Sequence, residues 1–174
     1  MKNLIENWQK YLNEQTSLFN YEIQSEEKVF ISEKKFKTFR NIKQRDRSSL
    51  SISGKPSGLW YSCGDDWIDF LSHDLPSMLQ DAKYLYQKEF KNFEKKYIFT
   101  PEHFANLGFD NSVMGAIDWH AVQNDGFTGI EICPYLGSQR FQNWYYPWDV
   151  ASGCIWDSKG IKNIELIARK KKKK

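Results

Sequence analysis

The sequence predicts a single α+β domain, and three observations carry that prediction. The order of predicted elements is a helix, then many strands with short helices between them, without the regular strand–helix alternation of a doubly wound sheet. The 174 residues fall within the usual span of one domain. Aromatic residues reach 16% of the chain, with seven Trp, nine Tyr and twelve Phe, enough rings to build a core and line a pocket or an interface.

Residues 1–15 read as an amphipathic helix, because Leu4, Trp8, Tyr11 and Leu12 share one stripe. Residues 20–32 alternate loosely and end in Val29-Phe30-Ile31, a strand pattern. Residues 33–56 are polar and basic and read as a loop. Gly58 to Cys63 is a short apolar strand. Asp65 or Asp66 then caps a helix that carries Trp67, Ile68, Phe70 and Leu71. Residues 83–90 and 93–99 read as two strands, and Pro101 after Thr100 starts a helix. A short helix is expected from Ile117 to Gln123, a turn at Asp125-Gly126, and a strand from Phe127 to Cys133. Residues 152–157 and 161–168 read as a final strand pair.

The formal net charge is +3, but residues 170 to 174 are all lysine, and removing those five charges leaves −2. The body, residues 1–169, is therefore slightly acidic, and 170–174 read as a disordered tail. Cys63, Cys133 and Cys154 are odd in number and contain no CxxC pair. No signal-peptide pattern opens the chain, and no run approaches the ~20 apolar residues of a membrane span. A reducing, cytoplasmic setting without membrane partners is the expectation.

Three segments stand out. In Lys55 to Ser62, strand parity puts Gly58, Trp60 and Ser62 on one face, and Leu59, Tyr61 and Cys63 on the other. A glycine, a flat ring and a hydroxyl together suit an aromatic ligand; a buried strand is the plainer reading. In Asp125 to Ile132, Glu131 interrupts an apolar strand beside Gly129. An unpaired buried carboxylate is costly, so Glu131 either faces water or serves a cleft. Trp144 to Asp157 holds three Trp and two Tyr, which either close the core or form a stacking shelf. The histidines His73, His103 and His120 have no zinc spacing, so no metal is expected. Neither a phosphate-binding glycine loop nor a GxSxG elbow is present.

Gly58-Leu59-Trp60-Tyr61-Ser62 followed by a helix, and Gly129-Ile130-Glu131-Ile132 some 70 residues later, resemble the second and third motifs of the ADP-ribosyltransferases, including the poly(ADP-ribose) polymerase type. That resemblance implies two small antiparallel sheets packed around an NAD cleft, with an N-terminal helix and short inserted helices. It implies NAD as substrate, and ADP-ribose transfer to a protein or nucleic-acid acceptor. It makes Glu131 the catalytic carboxylate, stabilising positive charge on the ribose as nicotinamide leaves. Trp60 becomes the stacking ring and Ser62 an orienting hydroxyl, with Gly58 leaving room for the ligand. Tyr61 or Trp67 supplies a second ring, and a bulge would exchange Trp60 with Tyr61. The family's first motif carries His or Arg on its first strand. Here that strand is Val29-Phe30-Ile31-Ser32, and Ser32 or Arg40 takes the anchoring place. The alternative function is a non-catalytic binding module that uses its aromatic shelf.

Overall fold

The computed structural model describes residues 19–45, 54–90, 98–100, 110–111, 116–141 and 144–170. The expected helices at residues 1–15 and after Pro101 lie outside these residues. Nine strands and three α-helices are described: β1 Lys28–Ser32, β2 Leu59–Cys63, α1 Asp66–Asp74, α2 Pro76–Asp81, β3 Tyr84–Phe90, β4 Ile98–Phe99, β5 Asp110–Asn111, β6 Ala116–Ile117, α3 Trp119–Asn124, β7 Gly129–Ile132, β8 Ser152–Ile155 and β9 Ile161–Arg169. The class is α+β, as expected.

Seven strands form one sheet in the order β4-β7-β8-β2-β1-β3-β9, and β5 pairs with β6 alone. Neighbours in the larger sheet run antiparallel except β4 and β7, which are parallel. The ladders differ in length. β7–β8, β8–β2 and β1–β3 each hold four residue pairs and β3–β9 seven. β1 and β2 hold two, Lys28 with Cys63 and Val29 with Ser62.

The expected pairing of the last two strands is corrected. β8 lies between β7 and β2, whereas β9 crosses to the far edge and pairs with β3. A 3-10 turn at Ser158–Gly160 separates them, and the Asp157 side chain caps it by accepting from the Lys159 N–H. β9 exposes Lys162, Glu165 and Arg169, and charged side chains on an edge strand discourage pairing with another chain.

The sheet is covered on both faces. On one face, Val29 of β1 and Leu85 of β3 pack with Ile68 and Leu71 of α1, Leu79 of α2, and Phe19. Further along that face, Ile130, Ile132 and Cys154 pack with Trp119 and Val122 of α3, and with Tyr145, Trp148 and Trp156. On the other face Phe30, Tyr61, Tyr86 and Ile155 pack together, with Phe36 and Phe39 against them. Tyr145, Trp148 and Trp156 are fully buried, so the aromatic segment closes the core. Their polar edges are used: the Trp156 indole N–H donates to the Phe127 carbonyl at 2.6 Å, and that of Trp119 to Gly54 at 2.7 Å.

Local chemistry sets the short elements. Asp118 caps α3 by accepting from the Ala121 N–H at 3.0 Å, and Gly126 follows it at φ 95°, a conformation a side chain resists. Asp65 precedes α1 without a side-chain cap bond. Instead the Ser62 hydroxyl, at the end of β2, accepts from the Trp67 N–H at 3.0 Å. At the chain's end, the Lys170 ammonium donates to the Leu79 and Gln80 carbonyls at 3.0 and 2.7 Å. The expectation that residues 170–174 make no ordered contact is therefore corrected at Lys170, whose charge sits at the C-terminal turn of α2. Residues 171–174 lie outside the described part.

β8 is buried along its whole length, and its small residues let large ones cross it. A Cβ placed on Gly153 would sit 2.3 Å from the Tyr61 ring and hydroxyl. Gly153→Ala is expected to destabilise the fold by about 1–3 kcal/mol, the usual cost of overpacking a filled core. Urea midpoints of the two proteins check this, and an unchanged midpoint would mean that Tyr61 is free to move aside.

Candidate functional site

Register brings Glu131 to its neighbours. Glu131 of β7 lies opposite Gly153 of β8, and Gly153 lies opposite Tyr61 of β2. The three form a row across the sheet on one face. Because Gly153 has no side chain, the Tyr61 ring lies over it and its hydroxyl donates to Glu131 Oε2 at 2.7 Å. Lys28, opposite Cys63 at the start of β1, reaches the same place. Its Nζ stands 3.3 Å from Glu131 Oε1 and donates to Cys63 Sγ at 3.1 Å. The Lys28 and Glu131 side chains keep 19% and 22% of their surface exposed. The carboxylate is thus held at both oxygens but still reaches solvent.

Cys63 and Cys133 are joined by a disulfide beside this pair, with Cα atoms 6.3 Å apart, while Cys154 is free and buried. The sequence reading, which favours a reducing setting, does not anticipate this pair. Strand parity explains the contact. Cys63 is two residues beyond Tyr61, and Cys133 two beyond Glu131, so whichever face joins Tyr61 to Glu131 also joins the cysteines. Among the described residues, Cys63, Glu131 and Cys133 are the group whose ligand atoms lie close enough for one metal ion, all within 4.8 Å of one another.

Electrostatics keep the Tyr61 phenol protonated. Complete burial pushes its pKa well above the ordinary value, and the Glu131 charge and hydrogen bond push the same way. A phenolate there would be desolvated and would face a carboxylate. Tyr61 is therefore a fixed donor at neutral pH.

The residues expected to join Glu131 are divided. Tyr61 meets it. Trp60 and Ser62 point to the opposite face, because Trp60 aligns with Cys154 and Ile130, and Ser62 with Ser152 and Ile132. The assignment of Trp60 as the ring beside Glu131 is corrected by that parity, and no bulge in β2 exchanges it with Tyr61. Ser62 orients the start of α1 rather than Glu131. Gly58 leaves room for the protein itself: a Cβ there would meet the Ile155 carbonyl oxygen at 2.4 Å and Cys154 Sγ at 2.6 Å. Arg40 is exposed.

Trp60, Trp67 and Ser32 come together elsewhere. Beyond their two shared pairs β1 and β2 part, and a cavity of about 460 Å³ opens there. Its walls include Phe30, Ile31, Ser32, Phe36, Trp60 and Trp67, with Glu33 and Asp81 among the lining residues. Trp60 leans on Trp148, with ring centres 5.1 Å apart, and the Lys55 ammonium lies 5.5 Å from the Trp60 ring. Lys55 also pairs with Asp149 at 3.9 Å. Ser32 donates to the Lys34 carbonyl at 2.6 Å. Glu131 is not among the residues lining this cavity.

Sequence reading missed Lys28 and Gly153. Nothing in Ser152-Gly153-Cys154-Ile155 by itself says which ring crosses it. Comparison with protein-family models, curated proteins and solved structures found no match for this chain.

The Tyr61 bond leads to a pH-dependent outcome. A phenol whose pKa is raised on folding contributes stability that is complete below its unfolded value of about 10 and is lost as pH rises further. Tyr61→Phe should cost about 1.5–3 kcal/mol at pH 7, the range for a hydrogen bond to a charged acceptor. It should also flatten the loss of stability above pH 10 relative to the unmodified chain. Urea midpoints across pH 7 to about 11 compare the slopes; equal slopes would remove Tyr61 as their source.

Proposed function

We infer that this domain takes NAD in the opening between β1 and β2, in the manner of the ADP-ribosyltransferases that its motifs resemble. One observation carries the reading. β1 and β2 stay paired over two positions and part at a cavity whose walls include Trp60, Trp67 and Ser32. On this reading the sheet acts as two small leaves, β4-β7-β8-β2 and β1-β3-β9, joined by a two-pair seam, and the cleft begins where the seam ends.

The chemistry of the cavity supports the nicotinamide end of NAD. That ring is flat and positively charged. Trp60 and Trp67 offer aromatic faces to a cation, and Glu33 and Asp81 add negative charge. Ser32 supplies a hydroxyl for the amide. The reaction assigned to the site breaks the nicotinamide–ribose bond and passes ADP-ribose to a protein or nucleic-acid acceptor. The resemblance assigns that step to Glu131, which Lys28 and Tyr61 orient on the face opposite Trp60.

A second reading is binding without turnover. The observation that favours it is that Glu131 faces away from Trp60 and is already engaged by Tyr61 and Lys28. The two readings share the cavity and differ on Glu131.

Titration with NAD while following tryptophan fluorescence, with released nicotinamide measured in parallel, separates them. Binding that is lost in Trp67→Ala, with nicotinamide release in the unmodified chain, is the expected result. Glu131→Gln should then retain binding and lower turnover at least ~100-fold, the effect of removing one charged transition-state contact. Binding with no release supports the second reading. An absence of binding overturns both.

A further inference from the structure

We propose that the Cys63–Cys133 disulfide is reducible, and that its dithiol form, together with Glu131, binds one zinc ion. The proposal does not depend on NAD.

The first support is geometry. The Cys63 and Cys133 sulfurs and a Glu131 oxygen lie within 4.8 Å of one another. A tetrahedral zinc with Zn–S bonds of about 2.3 Å holds two sulfurs about 3.8 Å apart. The Cα separation of 6.3 Å therefore needs side-chain rotation rather than strand movement once the S–S bond opens. All three ligands sit on β2 and at β7 with its exit, strands held at fixed separation by β8. Two thiolates and one carboxylate match zinc's use of sulfur together with a harder oxygen donor, and leave one position for water.

Charge is the second support. Two thiolates and a carboxylate carry three negative charges, and zinc carries two positive. The Lys28 ammonium, 3.1 Å from Cys63 Sγ and 3.3 Å from Glu131 Oε1, brings the cluster to neutrality. In the disulfide form the same ammonium stands against Cys63, where it stabilises a departing thiolate. A thiolate that leaves beside an ammonium is stabilised as it departs in thiol–disulfide exchange. Cys133 is partly exposed, so a reductant can attack there and release Cys63.

The step balances. A dithiol supplies two electrons and two protons, the S–S bond breaks to give two thiols, and the dithiol becomes its own disulfide. Zinc binding then displaces the two thiol protons to solvent. Tyr61 keeps its hydroxyl as a donor to Glu131 Oε2, an outer contact of the kind that orients metal-bound carboxylates.

The test uses the whole chain. It is reduced with a phosphine, incubated with zinc or cobalt(II) under argon and desalted, and bound metal is then counted. The oxidised chain is treated in parallel. One metal per reduced chain, none per oxidised chain, and a sulfur-to-cobalt charge-transfer band are expected. Cys133→Ser should lose that band, and Glu131→Gln should weaken zinc binding at least ~10-fold. Any of three results overturns the proposal: cysteines that stay oxidised in the folded chain, a reduced chain that retains no metal, or bound cobalt without the charge-transfer band. The measurement on the unmodified chain stands even if a variant fails to fold.

Discussion

The structure depends on β8 being thin. It is the strand between β7 and β2, and it is buried at every position. Large side chains cross it from both faces. Tyr61 lies over Gly153 on one side, while Trp60 and Ile130 flank Cys154 on the other. Two more glycines press against it, Gly58 and Gly129, each too close to Ile155 or Cys154 for a Cβ. Close packing at protein density allows no spare volume at such a crossing. A bulky residue in β8 would therefore separate Tyr61 from Glu131 and widen the aromatic cluster at once.

That crossing also decides where the chemistry gathers. With Tyr61 drawn over Gly153, Glu131 gains a donor and Lys28 gains an ion pair with limited solvent access. Removing one member leaves a partly desolvated charge, a more costly state than either the complete set or an apolar replacement. The disulfide follows from the same parity. The polar knot and the cysteines thus occupy one face, whereas the cavity lies where β1 and β2 diverge.

The aromatic residues divide by position rather than by type. Tyr145, Trp148 and Trp156 are buried and pack around α3; the Tyr145 hydroxyl accepts from the Leu136 N–H and the Trp156 indole donates to the Phe127 carbonyl. Trp60 and Trp67 are only partly buried and line the opening. Burial with a satisfied N–H makes a ring part of the scaffold; partial exposure beside a gap makes it available to a ligand. No helix among the described residues is long and apolar enough to cross a membrane.

The sequence by itself determined the class, the elements around β1, β2, α1, β3 and α3, and the face parity of each strand. Those follow from local rules: period-two alternation, Asp118 as a cap, and Gly126 as a stop. It also singled out Glu131, which either faces water or serves a cleft, because an isolated carboxylate is costly in an apolar strand. Only the tertiary structure decided that Tyr61 and Lys28 engage it. Parity says that Trp60 and Tyr61 oppose each other, but not which of them turns toward Glu131; strand order and register decide that, and β9 leaving β8 for the far edge is equally invisible locally. Lys28, Gly153 and the Cys63–Cys133 pair belong to the same class of fact. Each is defined by residues tens of positions apart, and their meeting is fixed by which ladders form, a property of the whole sheet rather than of any segment.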